Sequence, residues 1–346
     1  MEDRRNDGTY GLLTNAINVF TKNKLHAVNE PVFYYNIEQV PRTGELALTL
    51  YVFGVEKSIA EAIIIQTTRS LFSDLGLGDN TIKINSLGDN DSIARYTREL
   101  NNFFRKKINE VPNSTRELIK EHAILALMHL LDKNHDLVLE SPSTLEFLND
   151  SSRRHFRDII EYLDLSQTPY EIDSKLIGHH KCYHDTVFSL DINDSSGRPL
   201  QEQPFLVRGG RFSNFMGQHL KQVGNVPAVG AVIIMRGKSI TPKIPHSGKK
   251  PMTVHLAQIG FAPKIRALLL INELKQAGIY IDQDLSSDSL SSQLQRAENK
   301  KAKYTIIIGQ KEYIDNTVIL RDMTGKNQEI IPIANLVSRL EKFKVA

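Results

Sequence analysis

An α+β body followed by a smaller α/β domain is what the sequence predicts, and three observations carry the prediction. Strand-like segments in residues 1–235 far outnumber the helices that could cross between them, which favours an antiparallel sheet with helical cover. Residues 252–346 alternate strand-like and helix-like segments, the pattern of a small sheet with helical crossovers. Between the two, residues 236–251 hold three prolines, two glycines and five basic residues with no sustained period, and read as an exposed linker.

Each element follows from its local pattern. Residues 46–54 read as a strand, 58–75 as a helix and 80–85 as a strand. Residues 91–165 read as mostly helical, with breaks near Pro112 and Pro142 where a helical N–H is lost. Residues 186–192, 204–208 and 227–235 read as strands. After the linker come a strand at 253–259 and a helix at 263–277, stopped by Gly278. Then follow a strand at 279–282, a helix at 289–300, a continuously apolar strand at 304–309, a strand at 317–321 and a closing helix at 333–343. This last set predicts a mostly parallel sheet.

Composition narrows the function. Of 346 residues, 40% are apolar and 24% charged, as in globular proteins. The longest apolar run, residues 228–235, falls far short of the ~18 residues a membrane helix needs, so no membrane role is expected. The polar start, Met1-Glu-Asp-Arg-Arg, predicts no secretory leader, and a single cysteine, Cys182, fits a reducing, cytoplasmic setting. No glycine-rich phosphate-binding or dinucleotide fingerprint occurs. Net charge is +3, but residues 1–235 carry 25 Lys and Arg against 30 Asp and Glu, whereas residues 236–346 carry 18 against 10. A basic final third favours contact with phosphate.

The ordered motifs resemble one family. Ile84-Asn-Ser-Leu-Gly-Asp89 with Arg95-Tyr96, His155-Phe-Arg-Asp158, Pro169-Tyr-Glu-Ile-Asp173, Thr186-Val-Phe188, Gly209-Gly-Arg211 and Pro227-Ala-Val-Gly230 follow the order of histidyl-tRNA synthetases, which are class II ligases. Gln293-Leu-Gln-Arg-Ala297, Ile308-Gly-Gln-Lys-Glu312 and Leu320-Arg-Asp322 look like that family's anticodon-binding domain. The resemblance implies a six-stranded antiparallel class II sheet in residues 1–235, a helical insertion at about 91–165, and an anticodon-binding-like α/β domain in residues 252–346. It also implies adenylation of histidine by ATP, then transfer to a tRNA.

The chemistry-bearing positions depart from the scaffold. Arg5-Asn-Asp-Gly-Thr9 aligns with the family's Arg-Pro-Glu-Gly-Thr, which keeps Asp7 and Thr9 as substrate-binding candidates. In Pro31-Val-Phe-Tyr-Tyr-Asn36 the arginine that would hold the α-phosphate is Tyr34, and the glutamate is Asn36. Glu56 is retained, but the glutamine four residues earlier is Val52. In Leu176-Ile-Gly-His-His-Lys-Cys-Tyr183 the catalytic arginine is Gly178, and only Tyr183 matches a substrate contact. Arg211 survives beside Phe212, where the family has tyrosine; the last family arginine is Gly237, with Arg236 one place early. Adenylation builds negative charge that cations must stabilise, so the resemblance implies an inactive ligase homologue with a vestigial pocket of Asp7, Thr9, Glu56, Tyr183 and Arg211. Arg42, Lys181 and Arg236 are the cations that could compensate from shifted places. No catalytic residue, cofactor or metal is expected; ATP and magnesium enter only if the chain is an active ligase.

The partner expected is tRNA, through Arg296, Lys300, Lys301, Lys303 and Lys311, with Asp282 and Asp284 as repulsive neighbours to be avoided. The family's first motif has no counterpart in the sequence, which leaves a surface for a protein partner. His180, Cys182 and His184 would line one face of a strand, but successive ligands ~6.6 Å apart cannot share an ion, so a polar strand beside the old pocket is expected instead. Phe103 and Phe104 read as core anchors. Two rivals remain: an active histidine–tRNA ligase, and a regulatory subunit similar to that of ATP phosphoribosyltransferase.

Overall fold

A computed structural model describes residues 9–28, 30–40, 43–77, 79–178, 181–220, 226–236, 254–284 and 287–344, with side chains from Leu13 to Phe343. The chain divides into two compact units, Met1–Ile240 and Thr241–Ala346. Of the expected linker, only Arg236 is among the described residues.

The first unit runs α1 (Thr9–Lys22), β1 (Val32–Gln39), β2 (Leu46–Phe53), α2 (Ile59–Asp74), β3 (Asn80–Gly88), α3 (Asn90–Lys106), α4 (Asn113–Glu121), α5 (Ala123–Asp132), α6 (Leu137–Glu140), α7 (Asp150–Leu165), β4 (Tyr170–Ile172), β5 (His184–Ile192), β6 (Phe205–Arg211), α8 (Ser213–His219) and β7 (Ala228–Met235). Its sheet has seven strands in the order β1-β2-β7-β6-β5-β3-β4. The first six pair antiparallel, and β4 joins β3 in parallel. A parallel neighbour needs a long crossover, and the helical stretch α3–α7 supplies it.

Two helices of that stretch are locked at their starts. Asp89 accepts the Ser92 N–H at 2.9 Å and caps α3, and Asn149 accepts the Ser152 N–H at 2.8 Å and caps α7. The Asn149 amide also donates to Asp89 at 2.8 Å, so one contact ties both caps together. Helix α2 buries Ile59, Ala60, Ala62, Ile64 and Ile65 and packs on β2, β7 and α7. Phe104 is buried and Phe103 half-buried against the core, as expected of anchors.

Gly209 and Gly210 are imposed by close approach. A Cβ on Gly209 would lie 2.2 Å from the Phe188 ring, and one on Gly210 would lie 2.3 Å from the Thr186 carbonyl oxygen. The atom to be displaced is backbone of β5, where Thr186 pairs with Ser86 of β3, rather than a flexible side chain. Gly210→Ala is therefore expected to destabilise the unit by about 3 kcal/mol, read as a lowered thermal midpoint of the intact chain.

The second unit runs β8 (Val254–Gln258), α9 (Phe261–Gln276), β9 (Ile281–Gln283), α10 (Leu290–Asn299), β10 (Tyr304–Ile308), α11 (Gln310–Asp315), β11 (Thr317–Asp322), β12 (Gln328–Pro332) and α12 (Ile333–Lys344). Its sheet, ordered β12-β11-β10-β8-β9, is mixed rather than mostly parallel. Strands β9, β8 and β10 are parallel, whereas β10–β11–β12 form an antiparallel meander. The cause is local: only eight residues separate β10 from β11 and a five-residue turn separates β11 from β12, too short for crossovers. Tyr304 stacks on Phe343 with centroids 4.5 Å apart, seating α12 on the sheet.

Candidate functional site

The sheet face that carries Tyr34 is an apolar cluster. Leu13, Val19 and Phe20 of α1, Tyr51 and Phe53 of β2, Tyr96 and Leu100 of α3, Tyr183, and Phe212 and Phe215 are buried in it, with Tyr34 packed at its margin. Phe20 meets Phe53 edge-on at 5.3 Å, and Tyr51 lies 5.6 Å from Phe53 and 6.1 Å from Phe212. The strand registers put one cation on the same sheet face, the half-buried Arg208 of β6, which lies opposite Val232 of β7 and, through it, in line with Thr49 of β2 and Asn36 of β1. Gly178 sits at φ 64°, and a Cβ there would stand 2.9 Å from the Tyr183 ring. The position that aligns with the family's arginine thus has neither the backbone conformation nor the space for one.

The sequence-selected residues scatter. Tyr183 is buried in the cluster, but Glu56 is exposed between β2 and α2. Thr9 opens α1, and Asp7, Arg42, His179, His180 and Gly237 lie outside the described residues. The described part of the run, 181–185, is not the polar strand expected: Lys181 and Cys182 form a turn, Cys182 and Tyr183 are buried, and the strand begins at His184. No set of three or more His, Cys, Asp or Glu residues placed to hold a metal occurs among the described residues.

Arg211 is bound elsewhere than in the old pocket. Its Nε donates to Oε1 of Glu61 at 2.8 Å and its Nη2 to Oε2 at 2.7 Å, with further bonds to the carbonyls of Val55 and Lys57. His155 Nε2 lies 2.8 Å from the same Oε1. Glu61 is wholly buried and Arg211 is 4% exposed, so this is an interior ion triad joining α2, α7 and β6. Sequence reasoning missed Glu61, although a glutamate inside Ile59-Ala-Glu-Ala-Ile-Ile-Ile65 was its signal: a charge in an apolar helix must find a buried partner. Beside the triad, His184 is buried next to Asp185, and Ser152 donates to Asp185 at 2.8 Å.

Burial and charge set the titration of this group. Burial would raise the Glu61 carboxyl, but Arg211 and His155 outweigh it and hold it at about 2. Burial lowers His155, yet Glu61 reverses that and raises it. His184 has no such rescue and burial pushes it down to about 4. The signs give a window. His184 must stay neutral, so its contribution is complete above about pH 6.5 and declines as pH falls towards 4. The Glu61 contribution is complete above about 4.5 and is lost towards 2, whereas that of His155 is complete below about 6.5 and lost as pH rises through its raised value. Thermal midpoints should therefore fall between pH 6.5 and 4, and His184→Gln should flatten that limb.

The basic candidates of the second unit do not form one patch. Arg296 pairs with Asp284, and Lys300 with Asp282 at 2.7 Å. The carboxylates expected to repel RNA are thus the partners of two residues expected to bind it. Lys301 and Lys303 precede β10 and are exposed, whereas Lys311 follows its far end. Five strand residues separate those ends, about 17 Å.

Comparison with known proteins gives this arrangement its context. Residues 263–343 match the anticodon binding domain family. The histidine–tRNA ligase of Geobacillus sp. (strain WCH70) is 25% identical over 347 residues, covering 94% of this chain and 79% of that protein. That of Listeria monocytogenes serotype 4b (strain F2365) is 27% identical over 322 residues, covering 91% and 74%. Over most of its length the chain is similar to histidine–tRNA ligases. Its fold is the class II synthetase fold: the crystal structure of apo S. aureus histidyl-tRNA synthetase matches it with a TM-score of 0.50 at 20% identity, over 94% of this chain and 80% of that one. No helix among the described residues is long and apolar enough to cross a membrane.

Proposed function

We propose that this histidyl-tRNA synthetase homologue binds tRNA through its C-terminal unit and does not adenylate histidine. One observation carries the reading: Gly178, at φ 64° with the Tyr183 ring 2.9 Å from where its Cβ would be, has no room for the arginine its position implies. Tyr34, at the other described arginine position, is a half-buried aromatic. These two positions withhold fixed positive charge that the α-phosphate of ATP needs as the carboxylate attacks. Retention of an anticodon binding domain match over residues 263–343 supports the RNA half of the reading. Histidine-dependent exchange of pyrophosphate into ATP, run beside a tRNA-binding titration, tests both halves: no exchange with salt-sensitive binding is expected.

A further inference from the structure

Five cations of the C-terminal unit are held in ion pairs. Lys264, Arg266, Arg296, Lys300 and Arg339 each hold a carboxylate: Asp288, Glu273, Asp284, Asp282 and Glu329. Asp282 is doubly engaged, since it also meets Nδ1 of the buried His255 at 2.8 Å. Lys301, Lys303 and Lys326 are exposed and have no carboxylate within ion-pair distance among the described residues.

These three lie at one corner. The Met323 N–H donates to the Lys303 carbonyl at 3.0 Å, which sets the β11–β12 turn beside the start of β10. The Asp322 N–H donates to the Asn327 carbonyl at 2.9 Å, so Lys326 stands within that turn. Lys301 ends α10 two residues earlier, in a left-handed cap at φ 54° whose N–H reaches the Glu298 carbonyl. The acid at this corner, Asp322, accepts the N–H groups of Gly325 and Thr324 at 3.1 and 2.8 Å, which, with the charge of Lys303 nearby, hold its carboxyl below the usual range. Lys303 is steadied over the Tyr304 ring, 5.6 Å from its centroid.

We propose that the Lys301–Lys303–Lys326 corner is the part of this unit that grips RNA phosphates, and that Arg296 and Lys300 only hold the fold; the inference rests on the tRNA-binding reading above. A cation already neutralised by a carboxylate has no condensed anion to gain without breaking its pair, so it adds little to salt-sensitive affinity. Free ammonium groups on an exposed corner add directly, each neutralising about one phosphate.

The experiment measures binding of the full chain to a tRNA transcript between 50 and 200 mM salt. The triple variant Lys301→Gln/Lys303→Gln/Lys326→Gln should lose about one unit of log–log salt slope per lysine, roughly three in all. The variant Arg296→Gln/Lys300→Gln should keep the slope, and its melting curve reports the fold role instead. A triple variant that binds with unchanged slope while the wild type binds well overturns this surface and leaves the tRNA reading standing. Loss of slope in Arg296→Gln/Lys300→Gln with an unchanged melt overturns it as well. A wild-type chain that binds no tRNA, or binds anionic vesicles in its place, refutes the tRNA reading and this proposal together.

Discussion

Purified chain is expected to give no histidine-dependent exchange of pyrophosphate into ATP, and single arginine substitutions should not restore it. Each absent transition-state cation costs about 2.7–4 kcal/mol by analogy with a deleted oxyanion donor. Two described positions, Tyr34 and Gly178, together correspond to a rate loss on the order of 10⁴-fold or more. Such groups act as a unit, so replacing one recovers little. Tyr34→Arg would place a guanidinium at the margin of Tyr51 and Phe53, on the strand face that also carries Glu38, whose carboxylate would compete with phosphate for it. Gly178→Arg adds a second penalty, because a side chain at φ 64° with the Tyr183 ring 2.9 Å from its Cβ strains the backbone. That variant should melt earlier and remain inactive. Clear histidine-dependent exchange by the wild type would refute the inactive reading and direct attention to Lys181 or Arg236 as relocated cations.

Legibility in the sequence followed the reach of each interaction. Helix α2, the helical stretch α3–α7 and the alternating second unit carry their signals within a few residues, and the expected spans match the structure closely. Strand β1 was not expected as a strand, because its pattern is inverted. Tyr34, Asn36 and Glu38 point inward, and Phe33, Tyr35 and Ile37 are exposed, Tyr35 at 70%. Alternation read as apolar-in would assign the wrong face. Strand β12 was missed for a related reason: it is a short edge strand with Ile330 exposed and Pro332 at its end. Among site residues, absences were easier to read than partners. Tyr34 and Gly178 could be seen to lack charge from sequence alone. The fate of Arg211 could not, because its carboxylate lies 150 positions away. The same limit applies to Asp282 and Asp284: as isolated charges they repel phosphate, but folded they take up Lys300 and Arg296.

Removing the Glu61 carboxylate should be the most destabilising single substitution outside the apolar core. Glu61→Gln keeps volume but leaves Arg211, 4% exposed, without its bidentate acceptor and His155 without its counter-charge. Breaking a buried pair from one side costs about 3–5 kcal/mol, because desolvation of the remaining ion is no longer offset. For a unit of this size that corresponds to a fall in thermal midpoint on the order of 10 °C. Desolvation, not attraction, dominates this cost, so removing both charges should be milder than removing one. Glu61→Leu/Arg211→Met is accordingly expected to melt closer to wild type than Glu61→Gln does. His155 supplies an independent readout. Its ionisation is raised by Glu61, so in Glu61→Gln its NMR-observed titration should move downward, as burial then acts unopposed. A Glu61→Gln variant within about 1 kcal/mol of wild type, with the His155 titration unmoved, would show that the triad does not hold α2, α7 and β6 together. Midpoint loss in the single variant, partial recovery in the double and a downward His155 shift would establish that it does. In that case the arginine retained beside a vestigial pocket persists for the fold, and its retention carries no information about catalysis.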